Sequence, residues 1–303
     1  VEQLWANGIV VVAAAGNTGP DAGSITTPGN DPFVITVGAF TDNYSPLYTN
    51  DDYVPPFSAS GPSETGFIKP DVLAPGAHLL MYVVEDSDYA ETYPELRRSG
   101  GWYQGSGTSA ATAVTSGVVA LMLEQHPELT PDQVKYRLMV TARPAVDSNG
   151  YLAASIFQQG AGRVWAPEAV LGSYDGAANA SMIPGEAYIG PVVYDEARGG
   201  YAIVDVNRNL LPEGEDFFWD GGNFWAGGNF WAGGNFWAGG NFWAGGNFWA
   251  GGNFWAGGNF WAGGNFWAGT YFDNATFYWN TSDYSEENSS VSQYQIGFLS
   301  QQP

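Results

Sequence analysis

Eight consecutive copies of Gly-Gly-Asn-Phe-Trp-Ala run from Gly221 to Ala268. A six-residue unit with two glycines and two large aromatics does not build an ordinary globular core, so this array divides the chain before any other feature is considered. The period is even. In an extended strand every Phe then faces one side and every Trp the other. The Gly-Gly pair supplies positions for φ > 0 in each repeat, as a tight turn requires. Two stacked arrangements follow, a meander turning at every Gly-Gly or a solenoid with two or three hexads per coil. Trp at every repeat fits poorly inside a narrow coil, so a flattened, β-rich, two-sided stack is expected. The phase outlasts the repeat: Phe218-Trp219 precedes it by one period, and Phe272 and Tyr278-Trp279 continue it. The periodic region is therefore 215–284, followed by a Ser, Gln and Asn-rich tail, 285–303, expected to be poorly ordered.

The array holds 16 of the 42 glycines and 8 of the 13 tryptophans of the 303-residue chain, and without it the composition is ordinary. The absence of cysteine excludes a disulfide framework, a thiol nucleophile and a Cys-ligated metal. The net charge is −22. Residues 1–171 carry 18 acidic and 7 basic groups and the remainder 13 and 2, so the acidity is spread evenly. With 2 Lys and 7 Arg and no basic cluster, nucleic acid and anionic membrane are not expected partners. No apolar run reaches the roughly 18 residues of a membrane span.

Ahead of the array the pattern is that of an α/β domain over 1–171, joined through a connector over 172–214. Gly8 to Ala15 is a continuous apolar, β-branched run closed by Gly16, as expected for a strand buried on both faces of a parallel sheet. Phe33–Gly38 and Leu79–Val84 read as further strands. Ser109 to Gln125 is apolar nearly all round and reads as a fully buried central helix. Thr130-Pro131-Asp132-Gln133 is a capping box with proline at the first helical position, opening a helix to about Thr141. Glu2 to Asn7 reads as the last turns of a helix, so the chain, opening on Val1 inside an element, is expected to be a fragment.

Two loops carry candidate chemistry. Asn17 follows Ala13-Ala14-Ala15-Gly16 at the carboxyl end of a buried strand, where open α/β sheets place ligands. Ser109 lies in Gly105-Ser-Gly-Thr-Ser-Ala-Ala111 at the start of the central helix, where the dipole and free N–H groups favour developing negative charge. A serine there can act as a nucleophile, its own N–H and an asparagine amide forming an oxyanion hole. Taken singly, Ser109 also reads as a helix cap and Asn17 as a turn residue.

In combination the loops resemble a known family. Ala14-Ala-Gly-Asn17, Phe57-Ser-Ala-Ser-Gly-Pro62, Lys69-Pro-Asp-Val-Leu-Ala-Pro-Gly76 and Gly107-Thr-Ser-Ala-Ala111 occur in the order seen in subtilisin-like serine proteases, and Gln159-Gly-Ala-Gly-Arg163 closes the match. The resemblance implies a mostly parallel sheet with helices on both faces. It makes Ser109 the nucleophile, Asn17 the oxyanion-hole amide, and Ala14, Ala15 and Gly16 one wall of the pocket for the substrate side chain. It implies cleavage of a polypeptide through an acyl-enzyme. Ala110 and Ala113 depart from the commonest pattern, which has Met and Pro there.

The family's order is Asp, His, Ser, and no Asp-Thr-Gly or His-Gly-Thr-His sequence occurs here. The chain alone is expected to be inactive. His78, after Ala-Pro-Gly-Ala77, and His126, at a helix end, read as structural, and a triad of Asp71, His78 and Ser109 is not expected. No cofactor is required. Calcium is common in the family, and carbonyls and carboxylate around Gly29 to Val34 offer ligands for it, a plain turn being the simpler reading. An extracellular or cell-surface protein fits the sequons Asn274-Ala-Thr276 and Asn280-Thr-Ser282. For the array the readings are a spacer or self-associating stalk, a Trp ladder binding polysaccharide, or a disordered tail. The reading of the whole from another class is a non-catalytic surface or matrix protein.

Overall fold

A computed structural model describes residues 1–44, 52–145, 152–212 and 217–219, and the backbone of 264–265 and 268–269. The array and tail lie otherwise outside the described residues.

A short helix, α1 (Glu2–Ala6), leads into β1 (Val12–Ala14), followed by β2 (Ile35–Phe40) and β3 (Val72–Pro75). The three form a parallel sheet in that order, Val12 opposite Ile35 and Val37 opposite Val72. β2 is the buried middle strand, which its unbroken Ile-Thr-Val-Gly-Ala-Phe run requires. The strand expected over Gly8 to Ala15 is shorter than its apolar run. Val10 and Val11 pack, partly buried, against the core ahead of it, Val11 O still accepting from Ile35 N of β2 at 3.0 Å.

β4 (Leu79–Tyr82) does not join this sheet. It pairs antiparallel with β5 (Trp102–Gly105), after the helix α2 (Asp88–Thr92). β4 alternates between half-buried and exposed positions, whereas β2 and β3 are buried at all but their last residue.

α3 (Thr108–Gln125) packs on β1, β2 and β3. The expectation of burial all round is corrected here. Thr108, Ala111, Thr115, Val118, Val119 and Met122 are buried, whereas Ala113, Val114, Ala120 and Leu121 are exposed among the described residues. An all-round apolar pattern states that a helix tolerates cover on every side, not which sides receive it. α4 (Pro131–Val140) opens on its capping box: Gln133 N donates to Thr130 Oγ1 at 3.3 Å and Thr130 N to Gln133 Oε1 at 2.9 Å. Nearly all of α4 is buried. Two short helices follow, α5 (Ile156–Gln159) and α6 (Ala166–Leu171). Gly160 ends α5 at φ +56°, and a Cβ there would lie 2.1 Å from Pro70 O, so only glycine lets this turn close on β3.

Residues from 172–212 and 217–219 pack on the same core. β6 (Val192–Asp195) and β7 (Gly200–Ile203) form an antiparallel pair, and Val192, Ile203, Phe217 and Trp219 join the cluster that holds Phe33, Val37, Leu138 and Phe157. Within the array, β8 (Gly264–Asn265) pairs antiparallel with β9 (Ala268–Gly269). The turn expected at each Gly-Gly lies otherwise outside the described residues. No described helix is long and apolar enough to cross a membrane.

Candidate active site

The chain leaves β1 along a line of fixed backbone. Ala15 N donates to Val37 O at 2.9 Å, Ala15 O accepts from Thr26 N and Thr26 Oγ1 at 2.8 and 3.2 Å, and Gly16 O accepts from Ala59 N at 3.0 Å. Ala15, Ile25 and Ala59 close a small apolar cluster of their own. Ala14, Ala15 and Gly16 are thus held from both sides, and Asn17 follows them onto the surface at the carboxyl end of the sheet.

α3 meets Asn17 from the other direction. Gly107 is its cap, Thr108 its first residue and Ser109 its second. The fully buried Thr108 joins the two loops. Its N–H and hydroxyl donate to Asn17 Oδ1 at 2.8 and 2.9 Å, and Thr108 Oγ1 accepts from Gly16 N at 3.2 Å. With the carbonyl side of the amide so occupied, Asn17 Nδ2 keeps its two N–H groups unbonded among the described residues. Gly107 sits at φ +156°, and a Cβ on it would lie 3.3 Å from that Nδ2. Glycine therefore leaves the amide uncrowded. Ser109 is exposed, and its backbone N–H has no acceptor among the described residues. An exposed hydroxyl, a free helix-terminal N–H and a free amide are thereby brought together, a set suited to an oxygen that acquires negative charge.

Thr108 was not singled out in the sequence, although it stands beside Ser109 in the quoted motif. The signal was there: a β-branched hydroxyl residue at a helix start, one residue before the nucleophile candidate.

The histidines are elsewhere engaged. His78 stacks on Tyr44 with ring centroids 4.3 Å apart, and its backbone N–H donates to Ser106 Oγ at 2.9 Å. His126 caps the end of α3, its Nδ1 3.8 Å from Glu128. Asp71 is buried, its Oδ2 accepting from Thr36 N at 2.7 Å and Lys69 Nζ at 2.8 Å. A carboxylate so placed orients the sheet and the lysines, not an imidazole.

The Gly29–Val34 loop does not offer a calcium site. Gly29 O accepts from Thr36 Oγ1 at 2.6 Å. The carbonyls of Pro32, Phe33 and Val34 accept from Lys135 Nζ at 2.6, 3.3 and 3.1 Å, and Val34 O also from Lys69 Nζ at 3.0 Å. Both side chains are fully buried. Calcium needs six to eight oxygens and would meet two ammonium groups where its ligands should converge. The three-way group of Lys69, Lys135 and Asp71 has an excess positive charge. Burial pushes the Lys69 ammonium down to about 7, Asp71 opposing the shift and Lys135 adding to it.

A model of the subtilase family matches residues 1–162. The chain is similar to serine protease AprX of Bacillus subtilis, 44% identical over 135 residues, which is 45% of this chain and 30% of AprX. It is 32% identical over 168 residues to mycosin-1 of Mycobacterium tuberculosis, covering 52% of this chain and 36% of mycosin-1. Among solved structures it resembles the prenylagaramide maturation protease PagA at 26% identity, with a TM-score of 0.40, over 56% of this chain and 52% of that one. The chain thus spans only about a third of AprX and mycosin-1. A family match over residues 1–162, more than half of the sequence, places this chain in the subtilase family.

Proposed function

We propose that this chain carries the nucleophile and oxyanion hole of a secreted serine endopeptidase. Ser109 Oγ attacks the scissile carbonyl, and the tetrahedral oxyanion is held by the Ser109 N–H and Asn17 Nδ2. The bond to the leaving amine then breaks, and water hydrolyses the acyl-enzyme. Ala14, Ala15 and Gly16 line one side of the pocket for the residue before the cut. The single observation that carries this reading is the pinning of Asn17 Oδ1 by both donors of Thr108, which leaves the amide N–H groups unpaired beside an exposed serine.

The base and its carboxylate partner are supplied by residues outside these 303. The exposed apolar stripe of α3, which begins beside Ser109 and includes Val114 and Leu121, is the surface on which that segment packs. A fluorophosphonate probe tests the reading. Ser109 is expected to be labelled when the chain is supplied with the segment bearing the family's Asp and His, and not when it is alone or carries Ser109→Ala. Equal labelling of Ser109→Ala refutes the assignment. In the completed enzyme Asn17→Ala is expected to lower kcat by roughly 10²–10³, the order known for this donor in subtilisin, a member of the same family, with KM little changed.

The array serves as a spacer or self-associating stalk beside the peptidase. Retention of the full chain on cellulose or chitin, abolished by replacing the array tryptophans, would replace this reading with polysaccharide binding.

A further inference from the structure

Trp219 is held at the edge of β7 by contacts that select a type of peptide more than a place in the chain. Trp219 N donates to Tyr201 O at 2.9 Å and Tyr201 N to Trp219 O at 2.7 Å, bonds that any non-proline residue can make. Its ring stacks on the buried Phe157, with centroids 5.6 Å apart and planes at 16°. Phe218 turns the other way, under the Arg198 guanidinium, which lies 4.5 Å from its ring. Asp195 Oδ2 holds that guanidinium in place, accepting from its Nε at 2.5 Å. Gly200 leaves room for the pair. A Cβ on it would stand 2.5 Å from Trp219 O and 2.6 Å from Phe218 Cζ. Backbone edge, aromatic floor, cation and missing Cβ together specify an extended Phe-Trp dipeptide.

The chain contains that dipeptide nine times. Phe217-Phe218-Trp219 is followed six residues on by Asn223-Phe224-Trp225, and the array repeats the latter unit as far as Trp267. The units differ at the position of Phe217, where two effects oppose. Its φ is +51°, a left-handed conformation that Asn adopts more readily than Phe. Its side chain is buried in the main core, where Phe contributes apolar area and Asn would leave an amide unpaired. A core aromatic outweighs a single left-handed dihedral. Distance along the chain discriminates little. Four residues separate Pro212 from Phe217 and ten separate it from Asn223, a lengthening that disfavours closure only about fourfold.

We propose that Phe157, Arg198, Gly200 and Tyr201 form an acceptor site for Phe-Trp peptides, that the array unit Phe224-Trp225 is its alternative ligand, and that burial of Phe217 reserves the site for 218–219. The array is thus joined to the folded core by a site that recognises its repeat unit as well as by the peptide bond.

The experiment transfers the advantage of Phe217 to the next unit. The full chain is melted as wild type, Trp219→Ala, Trp219→Ala with Asn223→Phe, and that double variant with Trp225→Ala added. Trp219→Ala is expected to lower Tm by roughly 10 °C, because Asn223 makes the next unit too poor a ligand to take over. Adding Asn223→Phe is expected to restore most of the loss, and adding Trp225→Ala to cancel the restoration. Asn223→Phe on the wild-type background is expected to leave Tm unchanged. Should Trp219→Ala be unfolded, Asn223→Phe is expected to return its near-ultraviolet circular dichroism. A double variant that melts no higher than Trp219→Ala, or stays unfolded, overturns the proposal. A restoration that survives Trp225→Ala overturns it too, since Asn223→Phe would then act elsewhere. So does a Trp219→Ala variant that melts as wild type does, for then Phe217 reserves nothing.

Discussion

Thr108 shows how one side chain can set the chemistry of two others. Its hydroxyl accepts from Gly16 N at 3.2 Å and donates to Asn17 Oδ1 at 2.9 Å, so it fixes the end of the proposed pocket wall and the rotamer of the proposed oxyanion donor together. Its N–H supplies the second bond to Asn17 at 2.8 Å and survives any side-chain change. Thr108→Val keeps the volume and removes the hydroxyl. The Asn17 amide then keeps one tether and gains freedom to rotate, while Gly16 N loses its acceptor. One net hydrogen bond is worth about 1–1.5 kcal/mol, so kcat of the completed enzyme is expected to fall about tenfold, with KM within about twofold. Steady-state kinetics on a peptide substrate checks the split. A loss confined to KM would show that Thr108 serves the pocket wall and not the oxyanion hole. The effect is expected to be far smaller than that of Asn17→Ala, because positioning is weakened and the donor itself remains.

At the scale of elements, the segment 217–219 is a template for reading the repeat that follows it. Trp219 pairs with Tyr201 through Trp219 N to Tyr201 O at 2.9 Å and Tyr201 N to Trp219 O at 2.7 Å, a single antiparallel bridge to β7. Phe217 and Trp219 are buried, with Trp219 stacked on Phe157 at 5.6 Å, while Phe218 is half-exposed with the Arg198 guanidinium 4.5 Å above its ring. Phe and Trp of this pair therefore face opposite sides, the alternation an extended chain imposes. Trp219→Ala is expected to destabilise the full chain by about 3 kcal/mol or more, since it opens a cavity beside Phe157. Phe218→Ala removes a half-exposed ring and one cation–π contact, and is expected to cost about 1 kcal/mol or less. Denaturant unfolding of the two variants measures the contrast, and equal losses would contradict the inward and outward assignment. Some of the element structure was legible in advance. The capping box of α4 was, because Thr130, Gln133 and Pro131 act within one turn of chain. The partner of β4 and the covered face of α3 were not. Both depend on which distant segment arrives beside them, and alternation or apolarity along a single stretch carries no record of that.

At the scale of the whole molecule, charge is the organising quantity, and its least visible part concerns the lysines. A chain of net charge −22 has only two lysines, and both are withdrawn from its acidic surface into one buried group with Asp71. The Lys69-Pro70-Asp71 motif was legible as a family mark. Its physical role was not, because Lys135 comes from another helix and nothing near it in sequence announces a buried partner. The consequence is a pH dependence with the same sign as that of the depressed surface carboxylates Glu64, Asp195 and Asp205, but at higher pH. In the unfolded chain Lys69 holds its proton up to about 10.5, whereas in the fold it releases it near 7. Below about pH 7 both states are protonated, and the cost of the buried ammonium is fully present. Between about 7 and 10.5 the unfolded chain binds more protons than the folded one, so this group makes stability climb as pH rises. Lys69→Met leaves Asp71 paired with Lys135 alone and removes the excess positive charge, so the variant is expected to lose that climb and to tolerate neutral pH well. The measurement is the unfolding free energy of wild type and Lys69→Met across that interval at fixed ionic strength. The difference between them is expected to shift steadily in favour of wild type with rising pH. A difference that stays constant would mean that Lys69 keeps its proton in the folded state, held there by Val34 O, Thr36 Oγ1 and Asp71 Oδ2.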